Sequence, residues 1–396
     1  MTNTLWKSAV ALAVSLGLAG TSLAADNAQV ESLQKKLDQQ QKQIDQLKKQ
    51  VEAAVEATEN ASNVGTASKS TFGGYGELHY GNYDKKAPDG ASSTDDKAFD
   101  FHRFVLFFGH EFNDKVRFFS ELELEHALAG EGKKGEVELE QAFIEYRVSD
   151  AFAWKAGLFL LPVGMLNETH EPPTFYGTER NRIESDIVPT TWWEGGVGAT
   201  YRFADGLTGE FDLTSGLYTG QSFNIRSGRQ KVSKAKGDAL AYTGRLKYTA
   251  IPGLELATTL QYQSDLLQGE GTTASASEEA SATLFEVHAA WQIGQFDLRA
   301  LYAMWDIDSA TAEAANVDKQ DGWFIEPGFR INEMFGVFAR YSVWDNGGLA
   351  VETEKKSAQF GINTWVHPNV VLKADYEKLS GALDDKGFNL GVGYYF

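Results

Sequence analysis

Residues 115–126 read KVRFFSELELEH. Val116, Phe118, Leu122 and Leu124 fall on one parity, and Arg117, Glu121, Glu123 and Glu125 on the other. An alternation of period two is the signature of a strand with two unlike faces. The same pattern returns in QFDLRALYAMW (295–305), where Phe296, Leu298, Ala300, Tyr302 and Met304 oppose Asp297, Arg299 and Trp305. It returns again in VLKADYEKL (371–379) and in KGFNLGVGYYF (386–396), where Phe388, Leu390, Val392, Tyr394 and Phe396 share a parity. Chain termini usually fray, so a terminal stretch patterned to its last aromatic residue implies a strand held on both sides.

Sixteen such stretches are expected: 71–83, 97–112, 115–127, 135–148, 151–161, 191–203, 207–217, 238–250, 254–265, 281–292, 295–306, 321–331, 334–345, 355–366, 370–379 and 387–396. Turns of two or three residues, such as Asn113-Asp114 and Ile251-Pro252-Gly253, alternate with longer polar segments such as DKKAPDGASSTDD and LLQGEGTTASASEEA. This asymmetry over an even strand number describes an antiparallel 16-stranded transmembrane β-barrel, all-β in class, with short periplasmic turns and long outer loops. Alternation alone does not say whether the apolar face is a soluble core or a lipid surface. In a barrel this wide it faces lipid, and the charged face surrounds water. One parity slip interrupts GEVELEQAFIEYRV (135–148): Val137 and Leu139 are odd, whereas Ala142, Ile144 and Tyr146 are even. A β-bulge near Gln141, or a loop continuing to about Leu139, accounts for it.

The 396-residue chain has no cysteine, 39 glycines and a formal charge of −19. These exclude a disulfide framework and thiolate metal sites, and argue against nucleic acid as a partner, which needs a basic footprint. Residues 1–24 have the make-up of an export signal: Lys7, then SAVALAVSLGLAG, then small residues before a cut after Ala24. Residues 25–60 form an expected periplasmic coiled coil. Val30, Leu37, Ile44 and Val51 alternate with Leu33, Gln40, Leu47 and Ala54 at offsets of three and four. β-branched residues at a and leucine at d favour two chains in such a seam. Residues 61–70 are a linker, and 71–396 the barrel.

The connection after Leu161, PVGMLNETHEPPTFYGTERNRIESDIVPTTWWEGG, carries four prolines and mixes Met165, Leu166, Phe175 and Tyr176 with His170, Arg180 and Arg182. A loop in water has no use for these apolar residues, so residues 162–190 are expected to fold inward and narrow the lumen. By parity, the inward basic residues are Arg103, Arg117, Lys155, Arg202, Arg245, Lys247, Arg299, Arg330, Arg340 and Lys373, joined from the loop by Arg180 and Arg182. Inward carboxylates, among them Glu121, Glu123, Glu125 and Asp375, match them in number, which suggests a transverse field rather than a basic ladder. Outside, Arg226, Arg229, Lys231, Lys234 and Lys236 form a basic loop suited to gathering anions. His102 and His110 fall on the outward face with Phe104, Leu106 and Phe108. No histidine pair has metal-binding spacing, and no nucleophile is signalled beside His170 and Glu171. Neither a metal, nor a cofactor, nor an enzyme activity is expected.

FGGYGELHY, RFFSELELEHAL, GEVELEQAFIEYR and LPVGMLNETHEPPTFYGTERN…TTWWEGG together resemble bacterial outer-membrane porins of the phosphate-selective porin O/P group. The resemblance implies a trimeric barrel with an inward third loop, and hence a three-chain stalk. It also implies passive diffusion of small hydrophilic solutes, including anions such as phosphate, in contact with outer-membrane lipid and lipopolysaccharide. The alternative is a tethering barrel whose coiled coil binds peptidoglycan or a periplasmic partner. Removal of residues 26–60 separates the two, since a tether lost with conductance intact is structural.

Overall fold

The computed structural model describes residues 69–86 and 93–396. The expected export signal, coiled coil and nearly all of the linker lie outside the described residues. Sixteen antiparallel strands form a closed ring. They are β1 (Ser70–Lys86), β2 (Ser93–Glu111), β3 (Val116–Glu125), β4 (Val137–Arg147), β5 (Phe152–Leu160), β6 (Trp193–Ala204), β7 (Leu207–Thr214) and β8 (Ala241–Tyr248). The second half comprises β9 (Leu254–Gln263), β10 (Ser281–Ile293), β11 (Phe296–Asp308), β12 (Lys319–Arg330), β13 (Phe335–Asp345), β14 (Lys355–His367), β15 (Val370–Gly381) and β16 (Lys386–Tyr395). Each matches an expected strand. Closure is made by β1 and β16, with Tyr75 opposite Tyr395 and Asp84 opposite Lys386. The terminal residue takes part: Gly74 N donates to Phe396 O at 2.9 Å, and Phe396 N to Gly74 O at 2.8 Å. In hydrocarbon an open edge would leave backbone groups unsatisfied at several kcal/mol each, on the order of the cost of a buried orphan amide.

The opening strand shows how its faces are used. Glu121 and Glu123 are 1 % and 2 % exposed, whereas Leu122 between them is 44 % exposed. Across the barrel, Leu298, Trp323, Ile325, Phe360, Leu372 and Leu390 are likewise outward, and Arg245, Glu326, Arg340 and Asp375 are buried inward. The outside is greasy and the inside charged, the reverse of a soluble sandwich. The parity slip is a bulge: Glu121 pairs with Gln141 and Leu122 with Leu139, so Glu140 is the unpaired extra residue of β4. It turns inward and is buried.

A second register break, between Glu77 and His79 opposite β2, corrects the sequence reading of His102. Two β2 residues there oppose one on β1. His102 swings to the lumen side, where its ring stacks on His79 at 4.8 Å. The interior also holds apolar packing that parity did not foresee. Leu284, Leu301, Trp305, Phe324 and Trp344 of the wall pack with Ile183, Ile187 and Trp192 of the long loop. Leu217, Phe223, Ile225 and Leu266 of the next two outer loops join them. Each large side chain so buried contributes on the order of 1.5–3 kcal/mol. The outer half of the lumen is therefore partly a core.

Candidate pore constriction

The third outer loop, residues 161–192, enters the barrel and is held first by its own polar side chains. Asn167 closes its neck, donating to Leu161 O and Trp192 O at 2.8 and 2.9 Å and accepting from Trp192 N at 2.6 Å. Asn181 Oδ1 accepts from Ile183 N and Glu184 N, capping the short helix Ile183–Asp186. Glu184 reaches back to accept from Met165 N and Leu166 N, both at 2.6 Å. That cradle requires Gly164, whose φ is +77° and where a Cβ would lie 2.4 Å from Glu184 Oε1. Burial raises the Glu184 carboxyl above its ordinary value, and the donors only partly offset this.

Beyond Pro172-Pro173 the loop presses against β12–β16. Its carbonyls are read by wall side chains: Trp365 Nε1 donates to Pro173 O at 3.2 Å, Asn363 Nδ2 to Phe175 O at 3.0 Å, and Arg340 Nη2 to Tyr176 O at 2.8 Å. Thr178 N donates to Asp375 Oδ2 at 2.7 Å. Arg182 donates two parallel hydrogen bonds to Glu377, from Nε to Oε1 at 2.9 Å and from Nη2 to Oε2 at 2.5 Å. The lumen face of β16 explains its glycines: a Cβ at Gly393 would lie 2.2 Å from Pro172, and one at Gly391 2.9 Å from Thr178. The wall is thinned where the loop lies.

The expected pore-lining residues are placed as follows. Arg103 pairs with Glu77 at 2.6 Å, Arg117 with Glu145 at 2.8 Å, and Arg245 with both Glu168 and Glu210 at 2.5 Å. Arg340 binds Glu326 at 2.5 Å. Arg299 donates to Thr174 O at 3.0 Å and lies 3.9–4.0 Å from Asp297 and Glu326. Arg330 stacks on Trp365 at 3.4 Å, and Lys373 Nζ sits 3.6 Å from the Phe175 ring centre. Arg202 and Lys247 lie on the last residues of their strands before the turns. Glu125 is half-buried at the outer end of β3. Below the loop is a cavity of 360 Å³ between Thr169 and Thr174 on one side and Glu255, Asp297 and Arg299 on the other.

Most of the bases of the outer loop, Lys234 excepted, are engaged by protein groups. Arg229 donates to the carbonyls of Thr190 and Thr191, Lys231 pairs with Glu136 and Glu138, Lys236 with Glu270, and Arg226 with Asp186 at 3.4 Å. These partners are remote in sequence, so composition alone overstated the loop's charge.

The face of the loop turned toward β1–β4, formed by His170, Glu179 and Arg180, is different. Arg180 is buried and donates to Thr191 Oγ1 at 2.7 Å; burial and the neighbouring Arg103 hold its guanidinium down to about 10. Burial opposes ionisation of Glu179, but the His79 imidazole at 2.9 Å holds that carboxyl well below its ordinary value. His170, fully buried, is likewise held well below the usual imidazole range, by burial first and then by Arg180 and Arg103. It was expected on the inward loop, but its approach to Glu121 and Glu140 required the bulge and the loop path together.

A closed, charged-inside barrel with a loop folded across its lumen defines a porin. The family model for phosphate-selective porin O and P matches residues 72–382, and the chain belongs to that family. An uncharacterized protein of Aquifex aeolicus (strain VF5) is 31 % identical over 350 residues, covering 80 % of this chain and 77 % of the relative. The fold is shared with the anion-selective porin from Comamonas acidovorans (12 % identity, TM-score 0.58, 83 % of this chain and 100 % of that one). It is shared also with the outer membrane channel DcaP of Acinetobacter baumannii (11 %, TM-score 0.57, 83 % and 97 %) and with Salmonella typhi OmpF (14 %, TM-score 0.57, 83 % and 98 %). The chain is an outer-membrane channel for small solutes in a Gram-negative bacterium.

Proposed function

We propose that this channel, working as a homotrimer, passes small hydrophilic solutes with weak charge preference and no phosphate-specific site. The observation that carries the reading is the pairing of its inward bases. Arg103, Arg182, Arg245 and Arg340 each have a carboxylate within 2.6 Å. A paired guanidinium presents little net field to a passing anion, and anion selection needs rings of uncompensated basic side chains. Trimerisation is supported by relatives of this fold, one of which, OmpT of Vibrio cholerae, is described in a trimer form. A phosphate-preferring pore is the second reading. It draws on the family description and on Lys373, whose Nζ has no hydrogen-bonding protein partner. No catalytic step is assigned, and lipid or peptide hydrolysis by the purified protein would contradict this.

The test is the reversal potential of the reconstituted channel in a salt gradient. A value near zero, unchanged by phosphate, is expected. Strong anion preference with conductance that falls as phosphate is added would favour the second reading.

A further inference from the structure

His170 is oriented by the loop that carries it. Its Nδ1 lies 3.0 Å from the carbonyl of Asn167, a group that only accepts, so the ring proton belongs on Nδ1. Nε2 therefore presents a lone pair, and it does so in a closed space: the residue is 3 % exposed. What that lone pair faces is unexpected for a hydrogen-bonding partner. Glu121 Oε1 is 3.7 Å away and Glu140 Oε2 3.9 Å away. Neither distance is a hydrogen bond, and none of these three atoms has a hydrogen-bonding partner in the protein. The other oxygen of Glu121 is held by Gln141 Nε2 at 2.7 Å, which fixes the direction of the orphaned one. Buried polar atoms left unpaired cost about 1–3 kcal/mol each, and more when charged.

The three atoms lie within 4.8 Å of one another. A point equidistant from them is no more than about 2.5 Å from each, against roughly 2.0–2.2 Å for zinc to imidazole nitrogen or carboxylate oxygen, so a contraction of a few tenths of an ångström closes the set. The surrounding charge agrees. Glu123 abuts Glu140, and the carboxylates of the cluster, counted with Glu77, outnumber the guanidiniums of Arg103 and Arg180. Imidazole nitrogen with two carboxylates, the second ring nitrogen donating to a backbone carbonyl, is a donor set suited to a divalent first-row metal.

We propose that Glu121, Glu140 and His170 form a binding site for a divalent transition-metal cation such as zinc, which fastens the first arm of the constriction loop to β3 and β4. The bulge in β4 acquires a purpose, since it turns Glu140 inward beside Glu121. The proposal revises the expectation of no metal, and it stands whatever solute the channel passes.

The test uses the full chain, folded in detergent, loaded with Zn²⁺ and washed free of loosely held metal. About one zinc per chain is expected to remain in the wild type, and the melting temperature is expected to fall when a chelator removes it. Glu140→Gln, isosteric and relieving repulsion among the carboxylates, should keep the fold and lose the retained zinc. His170→Gln should do the same. Cobalt bound to the wild type should give a visible spectrum that zinc abolishes, a readout that needs no variant. A folded wild type that retains no zinc, or a Glu140→Gln protein that retains it in full, overturns the site and leaves the carboxylates sharing protons instead.

Discussion

The constriction loop meets the barrel wall along two seams of opposite character. Against β12–β16 its backbone is read group by group: Pro173, Phe175 and Tyr176 carbonyls each have a wall donor, and Thr178 N has the Asp375 carboxylate. Against β1–β4 the groups are as buried, but Tyr75 OH, Glu123 Oε2, Arg180 Nε and His170 Nε2 face one another without partners. Along the first seam the loop's backbone is satisfied within the protein, and this fixes where the loop lies, although Tyr176 OH, Thr178 Oγ1 and Lys373 Nζ there have no hydrogen-bonding partner. The second is left with unpaired carboxyl oxygens and an imidazole lone pair, the arrangement proposed above to take a cation.

The difference can be broken from the complete side. Arg340→Ala removes four contacts at once, to Glu326, Gln359 and the carbonyls of Tyr176 and Glu179, and leaves the buried Glu326 only Arg299 at 4.0 Å. A loss of about 3–5 kcal/mol is expected in denaturant unfolding, with conductance raised as the loop loosens. Gly393→Ala places a methyl against Pro172 and should cost about 1–3 kcal/mol by overpacking, again with altered conductance. Arg182→Gln should cost about 1.5 kcal/mol, because the guanidinium stays partly in water while Glu377 is buried.

The smallest effect lies outside both seams. Glu278 accepts from Ser309 Oγ at 2.6 Å and from Thr311 N and Oγ1 at 3.0 and 2.7 Å, and these donors lower its carboxyl to about 2. Since the folded value lies below the ordinary one, its contribution is present above about pH 4.5 and is lost as pH falls toward 2. Protection of the Thr311 amide, referred to the intrinsic exchange rate at each pH, should fall over that window in the wild type, and Glu278→Gln should remove the dependence.

The strands were legible because a period of two, interrupted by short turns, survives in any register. The bulge at Glu140 was legible because it breaks that period within one strand. The bulge that turns His102 inward was not read, although the apolar parity shifts there from Phe99 and Phe101 to Phe104, Leu106 and Phe108, because Val105 and Phe107 are apolar as well and blur the shift. Parity also failed to say what fills the lumen. In β11, Asp297 and Arg299 do face water, but Leu301, Ala303 and Trp305 on the same face pack on the loop. The site was legible as a set of charges and not as a set of pairs: Arg182 and Glu377 are 195 residues apart.

Each strand turns one face to lipid and the other to the lumen, and the chain contains no cysteine, so a single introduced thiol reports unambiguously. Leu298 and Arg299 are neighbours on β11, one outward and exposed, the other beside the cavity under the loop. In lipid vesicles and planar bilayers, a membrane-impermeant thiol reagent should modify Arg299→Cys quickly and change its conductance, while Leu298→Cys stays unreactive. Rapid modification of Leu298→Cys with Arg299→Cys silent would contradict an outward apolar surface around a watered pore.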